Sequence, residues 1–353
     1  MLALFPQADV FSLVKFLAAD FPPHIPAHTH IQTSFIQHLP FAKRHFRQYL
    51  PLMPLAIEQF DLADYDLVIS SHHAVAKGVL TRAHQLHISY VHTPVRYAWD
   101  LQHQYLAQAG LSWGIKSMLT RLILHYLRLW DLAAAHRVDC FVANSHYVAR
   151  RIWKTYRRPA TVIYPPVALD RFCWQQPRED FYLTVSRCVP YKRVDLTVAA
   201  FNELAKPLIV IGDGPDLKAL KQKAKSNITF IRNPTDVVVS DYMARCRAFI
   251  FPAEEDFGIT VVEAQASGAP VIAYGQGGST ETVLAGKTGV LFPQQTVHDL
   301  VNAVNYFETH RNCFIPEIIR NHAETFSEQR FQHEFQTFAA QKWLKFRQDD
   351  ALE

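Results

Sequence analysis

Two carboxylates that lie eight residues apart, Glu255 and Glu263, are the side chains of this chain best spaced to act on one ligand. The apolar run 248–251 before them predicts a buried strand that ends at a proline. The segment that starts near Phe257 and Gly258 predicts a helix with a glycine stop, and a further apolar run follows it. This order is typical of a parallel sheet, which binds ligands at the loop after the carboxyl end of a strand.

The spacing of the two carboxylates fits a particular kind of ligand. A helix rises about 1.5 Å per residue, so one carboxylate in the loop and one inside the helix can lie roughly 10 Å apart. That separation suits a nucleotide sugar, in which a hexose and a ribose flank a diphosphate. The free N–H groups of the helix N-terminus would then face the phosphates. The alternative is that both glutamates are ordinary solvated residues of a loop and a helix.

The segment 255–263 resembles the E-x7-E signature of the retaining glycosyltransferases of family 4, which have the GT-B fold. Further segments resemble the same family, and the likeness covers nearly the whole chain. These segments are an Arg and Lys segment at 186–195, a G-x-G turn at 211–215, a crossover at 162–167, and the first-half stretches 89–100 and 144–145. The combination is most similar to bacterial mannosyltransferases that build O-antigen and exopolysaccharide repeat units from GDP-mannose.

The resemblance implies a GT-B architecture, in which two Rossmann-like domains with doubly wound parallel sheets face a cleft. Alternating strand and helix patterns in both halves favour the same α/β class. The Pro165-Pro166 pair indicates a domain boundary, with an acceptor-side domain at 1–166 and a nucleotide-sugar-binding domain at 167–326. A last helix at 327–346 would pack back on the N-terminal domain.

The beginning of the chain departs from the family pattern. Members usually open with a strand, a Gly-Gly loop and a helix, whereas residues 1–11 look like the end of that helix followed by the second strand. The first strand and its Gly-Gly loop are therefore expected to be missing. Because that loop normally approaches the donor diphosphate and the acceptor, a protein that binds a nucleotide sugar without transferring it stays open as an alternative.

The resemblance assigns roles to five side chains. Arg187 and Lys192 would neutralise the leaving diphosphate, since a guanidinium binds phosphate with a fork and an ammonium supplies a point charge. Glu255 would bind hydroxyls of the donor sugar, and Glu263 would accept the ribose hydroxyls. His92, which ends a predicted strand, would contact the donor sugar from the N-terminal domain. Taken singly, each of these residues is more often structural.

Five further residues would contribute to nucleotide binding mainly through their backbone. They are Gly212, Gly214, Phe257, Gly258 and Ile259. The two glycines of the G-x-G turn would permit a tight turn and a close approach to phosphate. Lys77 and Arg96 are weaker candidates for contacts to an acceptor phosphate.

The resemblance also implies how transfer would proceed. The family is thought to retain configuration by attack on the face from which the diphosphate leaves, with the diphosphate as base, so neither glutamate is expected to be a nucleophile. No metal or other cofactor is expected besides the nucleotide-sugar donor. The histidine pairs at 28 and 30, 72 and 73, and 84 and 87 lack a zinc-binding pattern.

Composition sets broader limits. The 353 residues are 49% hydrophobic and 19% charged, which is typical of a globular protein of two domains. The five scattered cysteines include no C-x-x-C pair, which favours reduced thiols in the cytoplasm. There is no apolar stretch long enough to span a membrane and no signal-peptide pattern at the N-terminus.

Charge is divided unevenly along the chain. Residues 1–166 hold 16 Lys and Arg against 9 Asp and Glu, so this half has a net charge of +7 and indicates an anionic partner. The helical pattern at 113–137 interleaves apolar and basic residues. It fits either a helix with a solvated basic face or an interfacial segment that rests on anionic lipid. A nucleic-acid partner is disfavoured because no recognition module is present.

These observations predict a hexosyltransferase, most specifically a GDP-mannose-dependent mannosyltransferase. Its acceptor would be a polyprenyl-diphosphate-linked glycan at the cytoplasmic face of the inner membrane. The alternatives left open are a nucleotide-sugar-binding protein without transfer activity, a transferase that uses a UDP-sugar, and an epimerase or phosphorylase on the same fold.

Overall fold

The computed structural model describes residues 1–16 and 30–350, which form two compact units. The first unit contains Met1–Asn144, Val148–Ile163 and the chain from Gln332 onward, and the second contains Ser145–Tyr147 and Tyr164–Phe331. The observed division therefore falls slightly before the predicted boundary after residue 166. His28, of the first histidine pair, lies outside the described residues.

Among the described residues, six strands and five helices before residue 164 contribute to the first unit, together with the last helix from Gln332 onward. The strands are β1 (Val10–Ser12), β2 (Ile31–Thr33), β3 (Leu67–His72), β4 (Leu86–Val91), β5 (Cys140–Ala143) and β6 (Ala160–Val162). The helices are α1 (Ala42–His45), α2 (Met53–Glu58), α3 (Gln102–Gln108), α4 (Ile115–His136) and α5 (His146–Tyr156). Strands β3 to β6 form a parallel sheet in the order β3-β4-β5-β6, and β1 and β2 form a separate parallel pair.

Strand β4 lies at the centre of the first unit, and all six of its residues are buried. Near-continuous burial is expected of a parallel strand covered on both faces. Its polar residues are paired across the sheet: the Ser70 hydroxyl lies 2.9 Å from Nε2 of His87 and donates to the Ser89 hydroxyl at 3.0 Å. Phe335, in the last helix, packs edge-on against Tyr90 with ring centroids 6.3 Å apart.

A buried ion pair joins the turn after β3 to helix α4. The ammonium of Lys77 pairs with the carboxylate of Asp131, and both side chains are almost fully buried. Asp131 also accepts hydrogen bonds from Trp99 Nε1 and from the Tyr156 hydroxyl, each at 2.8 Å. The interpretation of Lys77 as an acceptor-phosphate ligand is therefore wrong, because its charge is already neutralised inside the core.

The second unit alternates strands and helices throughout. Its strands are β7 (Tyr182–Val185), β8 (Leu208–Ile211), β9 (Ile228–Ile231), β10 (Ala248–Phe251), β11 (Val271–Tyr274) and β12 (Gly289–Phe292). Its helices are α6 (Val194–Leu204), α7 (Leu217–Lys223), α8 (Asp236–Arg245), α9 (Ile259–Ala266), α10 (Ser279–Thr282), α11 (Val297–Thr309) and α12 (Pro316–Glu324). The last helix, α13 (Glu328–Asp350), starts in this unit, and its residues from Gln332 onward belong to the first unit.

The six strands of this unit form one parallel sheet in the order β12-β11-β10-β7-β8-β9. Helices cover both faces, because alternate residues of β10 enter different clusters: Phe249 packs with α9 residues such as Val262, and Ile250 packs with α6 residues such as Phe201. The doubly wound α/β prediction is confirmed. Strand order reverses between β7 and β10, and ligands bind at such a switch point.

The two ends of the chain differ from the predicted elements. Residues 1–9 form turns, with Leu4 N–H donating to the Met1 carbonyl at 2.8 Å, so the expected end of a first helix is not observed. Strand β1 follows, as predicted. The last helix extends to residue 350, beyond the predicted end at 346. Within the described residues, no helix is both long and apolar enough to cross a bilayer.

Candidate functional site

The loops after β7, β8, β10 and β11 converge at the switch point of the second unit. The backbone of residues 186–188 contacts the G-x-G turn, where Cys188 N–H donates to the Asp213 carbonyl at 2.9 Å. A Cβ on Gly212 would lie 1.8 Å from the Ser186 carbonyl oxygen, and one on Gly214 would lie 2.4 Å from that of Cys188. These glycines therefore allow two loops to touch, and their contact to phosphate stays a prediction.

The loop that carries Glu255 is fixed by a second glycine pair that the sequence reasoning missed. Gly278 N–H donates to the Glu255 carbonyl at 2.8 Å. A Cβ on Gly277 would lie 2.5 Å from that same oxygen, and one on Gly278 would lie 2.3 Å from the Phe257 Cα. The signal that could have found this pair is its position directly after a predicted strand.

Lys192 and Glu255 form the charged centre of this group of loops. Lys192 Nζ lies 2.7 Å from Glu255 Oε1, and the two side chains are 22% and 18% exposed. The Oε1 atom itself is buried and outside hydrogen-bond geometry, so the contact is an ion pair by distance only. The structure thus joins a cation from the β7 loop to a carboxylate from the β10 loop.

Two residues missed by the sequence reasoning brace the same loops. Gln295 accepts a hydrogen bond from Arg193 Nη1 at 3.1 Å and donates to the Pro252 carbonyl at 2.7 Å. One amide therefore ties the loop after β7 to the loop after β10. Arg193 itself has a left-handed backbone (φ 54°), which turns the chain between Lys192 and helix α6.

Arg187 is exposed in the loop after β7, and the described part of the chain contains no ion pair to it. Its position at the carboxyl end of a strand beside the switch point leaves the guanidinium available to an anionic ligand. The structure therefore places both predicted phosphate-binding cations, Arg187 and Lys192, in the one loop that follows β7.

Helix α9 begins directly after the loop that carries Glu255. Gly258 has a left-handed backbone (φ 81°) and precedes the first helical residue, Ile259, without a side-chain cap. Phe257 is buried, and its ring lies 5.8 Å from that of Tyr164, so only its backbone can reach a ligand. The uncapped first-turn N–H groups form an anion-binding element of the kind that suits a diphosphate.

Glu263 lies one turn further along α9 and has unusual electrostatics. Burial raises the pKa of its carboxyl to about 7; Arg171 partly opposes this shift, and Asp236 adds to it. Within the described chain, no hydrogen bond or ion pair reaches the Glu263 carboxylate. Near neutral pH, this group can therefore accept a hydroxyl hydrogen bond as a carboxylate or donate one as an acid.

The segment Ser145–Tyr147 belongs to the second unit through contacts that the sequence did not reveal. Backbone N–H groups of His146 and Tyr147 donate to the Glu281 carboxylate at 2.7 and 2.8 Å. The Tyr147 hydroxyl donates to Glu254 at 2.7 Å. Ser145 donates to the Asp256 carbonyl at 2.6 Å, so this segment helps to hold the loop before α9.

The remaining predicted site residue, His92, lies in the first unit. It follows β4, is exposed, and its Nε2 lies 2.9 Å from the Ser71 hydroxyl. The ring also packs edge-on against Tyr90 at 5.3 Å. The structure thus orients His92 at the carboxyl end of a central strand, where a ligand contact is feasible.

No cluster of three or more metal-ligating side chains occurs among the described residues. In the histidine pair at 72 and 73, His72 is buried, and desolvation holds its pKa well below the usual range. His87 is buried as well, and its pKa is lowered to about 4. These imidazoles are therefore neutral groups of the core.

Family models match both halves of the chain. Residues 13–171 match the model described as Glycosyltransferase Family 4, and residues 171–329 match the model described as Glycosyl transferases group 1. The junction of the two matches falls close to the division between the two units at Ile163 and Tyr164.

Curated relatives match over part of their length. The chain is 32% identical over 138 residues to a GDP-mannose-dependent alpha-(1-6)-phosphatidylinositol monomannoside mannosyltransferase of Mycolicibacterium smegmatis, covering 34% of this chain and 36% of that protein. It is 26% identical over 240 residues to the alpha-1,3/1,6-mannosyltransferase ALG2 of Dictyostelium discoideum, covering 54% and 57%. An uncharacterized glycosyltransferase of Methanocaldococcus jannaschii is 30% identical, with 46% and 47% covered. The chain thus spans roughly a third to three fifths of these relatives.

Solved structures match nearly the whole chain. Sucrose-phosphate synthase from Thermosynechococcus elongatus superposes with a TM-score of 0.75 at 17% identity, covering 96% of this chain and 89% of that one. Anabaena HepE in complex with UDP and glucose superposes with a TM-score of 0.63 at 17% identity, covering 89% and 86%. At these identities the likeness concerns the fold.

Proposed function

Because this chain is a glycosyltransferase of the family 4 type with the GT-B fold, we propose that it transfers mannose from GDP-mannose, with retention of configuration, to a lipid-linked glycan. The observation that carries the proposal is the pairing of Lys192 with Glu255 at the switch point. The ammonium of Lys192 can bind a diphosphate and the carboxylate of Glu255 can bind sugar hydroxyls, and these two groups are in direct contact.

The positions of these residues in the loops support the following role for each of them. Lys192 and Arg187 neutralise the diphosphate as the glycosidic bond breaks, since fixed cations stabilise charge that develops on a leaving group. The N–H groups of Gly258, which precedes α9, and of Ile259, its first residue, bind the same phosphates. Glu263 accepts the ribose hydroxyls when ionised. No step of this scheme needs a metal.

Glu255 acts in this scheme by orienting the donor sugar rather than by attacking it. Its carboxylate exchanges the Lys192 contact for sugar hydroxyls, while Lys192 turns to the diphosphate. For His92, which lies in the first unit, a contact to the donor sugar stays a prediction. Retention is then expected from attack on the face that the diphosphate leaves.

The donor and acceptor are proposed from the curated relatives. Two of the three relatives described above are mannosyltransferases by name, and one of those names specifies GDP-mannose and a phosphatidylinositol-linked acceptor. The net charge of +7 on residues 1–166 suits an acceptor that carries phosphate, such as a polyprenyl-diphosphate-linked glycan. The proposed location is therefore the cytoplasmic face of the inner membrane.

Calorimetric titration with GDP-mannose, GDP, UDP-glucose, UDP-N-acetylglucosamine and UDP tests the donor. We expect tight binding of GDP-mannose that Glu263→Ala abolishes. Glu203→Ala, on an exposed position of α6, serves as the matched control and should leave binding unchanged. Preference for a UDP-sugar would overturn the donor while keeping the class of reaction.

Transfer itself is measured with the donor and a polyprenyl-diphosphate-linked oligosaccharide, by mass spectrometry of the extracted lipid. A mass increase of one hexose, lost in Lys192→Ala, is the expected result. Donor binding without any transfer to lipid-linked acceptors would refute the transferase activity and favour a nucleotide-sugar-binding protein. Release of a new sugar without an acceptor would favour an epimerase or phosphorylase.

A further inference from the structure

Helix α4 exposes a continuous row of large apolar side chains to solvent. This outer stripe consists of Trp113, Ile115, Met118, Leu119, Leu122, Tyr126 and Leu129. Trp113 is 92% exposed, and the helical members are between 48% and 82% exposed. Their spacing of three and four residues places them on one face of the helix. A soluble helix normally presents polar residues on such a face, so the stripe needs a partner.

The opposite face of α4 already fulfils the packing role of this helix. Leu124, Leu127 and Ala134 are buried in the first unit, and Asp131 is buried in its pair with Lys77. The helix therefore has two apolar faces, one inside the core and one outside it. Of the two predicted alternatives, the packed helix with a solvated basic face is observed in its packing, but its solvated face is apolar as well as basic.

The charges around the outer stripe are all positive. Lys116 is exposed on the first turn, and Arg121 lies along one border of the stripe. Arg128 lies on the same side, but its guanidinium donates to the Ala98 carbonyl at 2.8 Å and to the Gln102 side chain, so it is held within the first unit. The sole acidic residue of the helix is Asp131, which is almost fully buried. A second copy of this chain would bring the same cations to the stripe, whereas an anionic lipid surface complements both the cations and the apolar row.

We propose that the outer stripe docks this protein on an anionic lipid bilayer, with α4 lying in the plane of the headgroups. Trp113 anchors the N-terminal end, because an indole combines a large apolar body with an N–H group suited to the interface. The leucines and Met118 enter the acyl boundary, and the basic border binds lipid phosphates.

A surface recess at the N-terminal end of α4 supports this arrangement. It has a volume of about 530 Å³ and combines the apolar side chains of Trp113, Met118 and Leu122 with the guanidinium of Arg121. Arg121 Nε is anchored to the Ser117 hydroxyl at 3.2 Å, which holds the guanidinium at the rim. A cation beside an apolar recess suits the phosphate and upper acyl carbons of one lipid.

This inference deepens the proposed function, because a lipid-linked acceptor would lie in the same membrane to which the stripe binds. It rests on the proposed function only in its reference to that acceptor. Vesicle binding is measured without donor or acceptor, so a failed transfer assay leaves its outcome intact. The probe is a set of vesicles of phosphatidylcholine alone or with phosphatidylglycerol, sedimented with the full chain at low and high salt.

The test variant is Leu119→Gln with Leu122→Gln, which keeps good helix formers at both positions. The matched control is Val237→Gln with Leu344→Gln, two apolar residues that are more exposed than the test pair and lie on helices outside the stripe. We expect binding to anionic vesicles that falls about tenfold in the test variant, stays in the control, and weakens with salt. Circular dichroism confirms that both variants stay folded.

Three results would overturn the proposal. Equal binding to both vesicle types would remove the role of the basic border. Absent vesicle binding, or binding that the test variant retains, would exclude the outer stripe as the docking surface. A dimer that the test variant converts to a monomer, without vesicle binding, would assign the stripe to a second copy of the chain.

Discussion

Glu263→Gln should make the protein more stable above neutral pH while removing its proposed ribose contact. Burial raises the pKa of the Glu263 carboxyl from 4.5 to about 7 in the folded state. Each pKa unit corresponds to 1.36 kcal/mol, so the ionised carboxylate lowers the free energy of unfolding by about 3 kcal/mol. Glutamine keeps the shape of the side chain and does not ionise.

The sign of the pH dependence follows from proton binding. Below pH 4.5, the carboxyl is protonated in both the folded and the unfolded protein and carries no penalty. Between pH 4.5 and about 7, the folded protein binds the proton more tightly, so wild-type stability falls as pH rises. The variant should therefore exceed the wild type by about 3 kcal/mol at pH 8 and by little at pH 4.5.

Native-state hydrogen exchange of peptides from β10 and α9 is the suitable assay, because it reports on the second unit separately in a chain of two units. Glu203→Gln on α6 is the matched control and should show no pH-dependent gain. A stability gap between wild type and Glu263→Gln that is the same at pH 5 and pH 8 would refute the reasoning.

Three further predictions concern the scaffold. Gly212→Ala should lower the free energy of unfolding, measured with urea, by about 3 kcal/mol, because its Cβ would overlap the Ser186 carbonyl. Gly110→Ala is the control: its Cβ would lie in open space, so it should cost only about 1 kcal/mol of backbone strain. Lys77→Met should lower the free energy of unfolding by about 4 kcal/mol, because it leaves the Asp131 carboxylate buried without its cation. Adding Asp131→Leu should recover part of that loss, and a purely additive double-mutant cycle would contradict the pairing. Glu281→Ala should speed amide exchange at His146 and Tyr147 by about tenfold, and unchanged exchange there would argue against the cap.

The sequence sufficed to predict the core of the second unit. The run 248–251 is apolar throughout and ends at a proline, and the strand that it predicts is confirmed residue for residue. Local patterns succeed here because each element is buried on its own and its ends are marked by residues that stop a strand or helix.

Contacts between distant segments could not be predicted in this way. Gln295 braces loops that lie more than forty residues earlier in the chain, and Glu281 caps a segment at residue 146. A single glutamine or glutamate has no local sequence pattern that predicts such partners. The prediction of Lys77 as an acceptor-phosphate ligand was wrong for a related reason. Its partner, Asp131, is identified only when helix α4 is folded against the turn that contains Lys77.

Under the proposed function, a donor must displace the ion pair between Lys192 and Glu255 when it binds. A nucleotide sugar replaces both halves at once, its diphosphate taking the ammonium and its hexose taking the carboxylate. A nucleoside diphosphate satisfies only the ammonium and leaves a partly buried carboxylate without its cation. Under the proposed function, re-formation of the Lys192–Glu255 ion pair therefore competes more effectively with the nucleoside diphosphate product than with the intact donor. The protein's own side chains would then promote product release after each transfer.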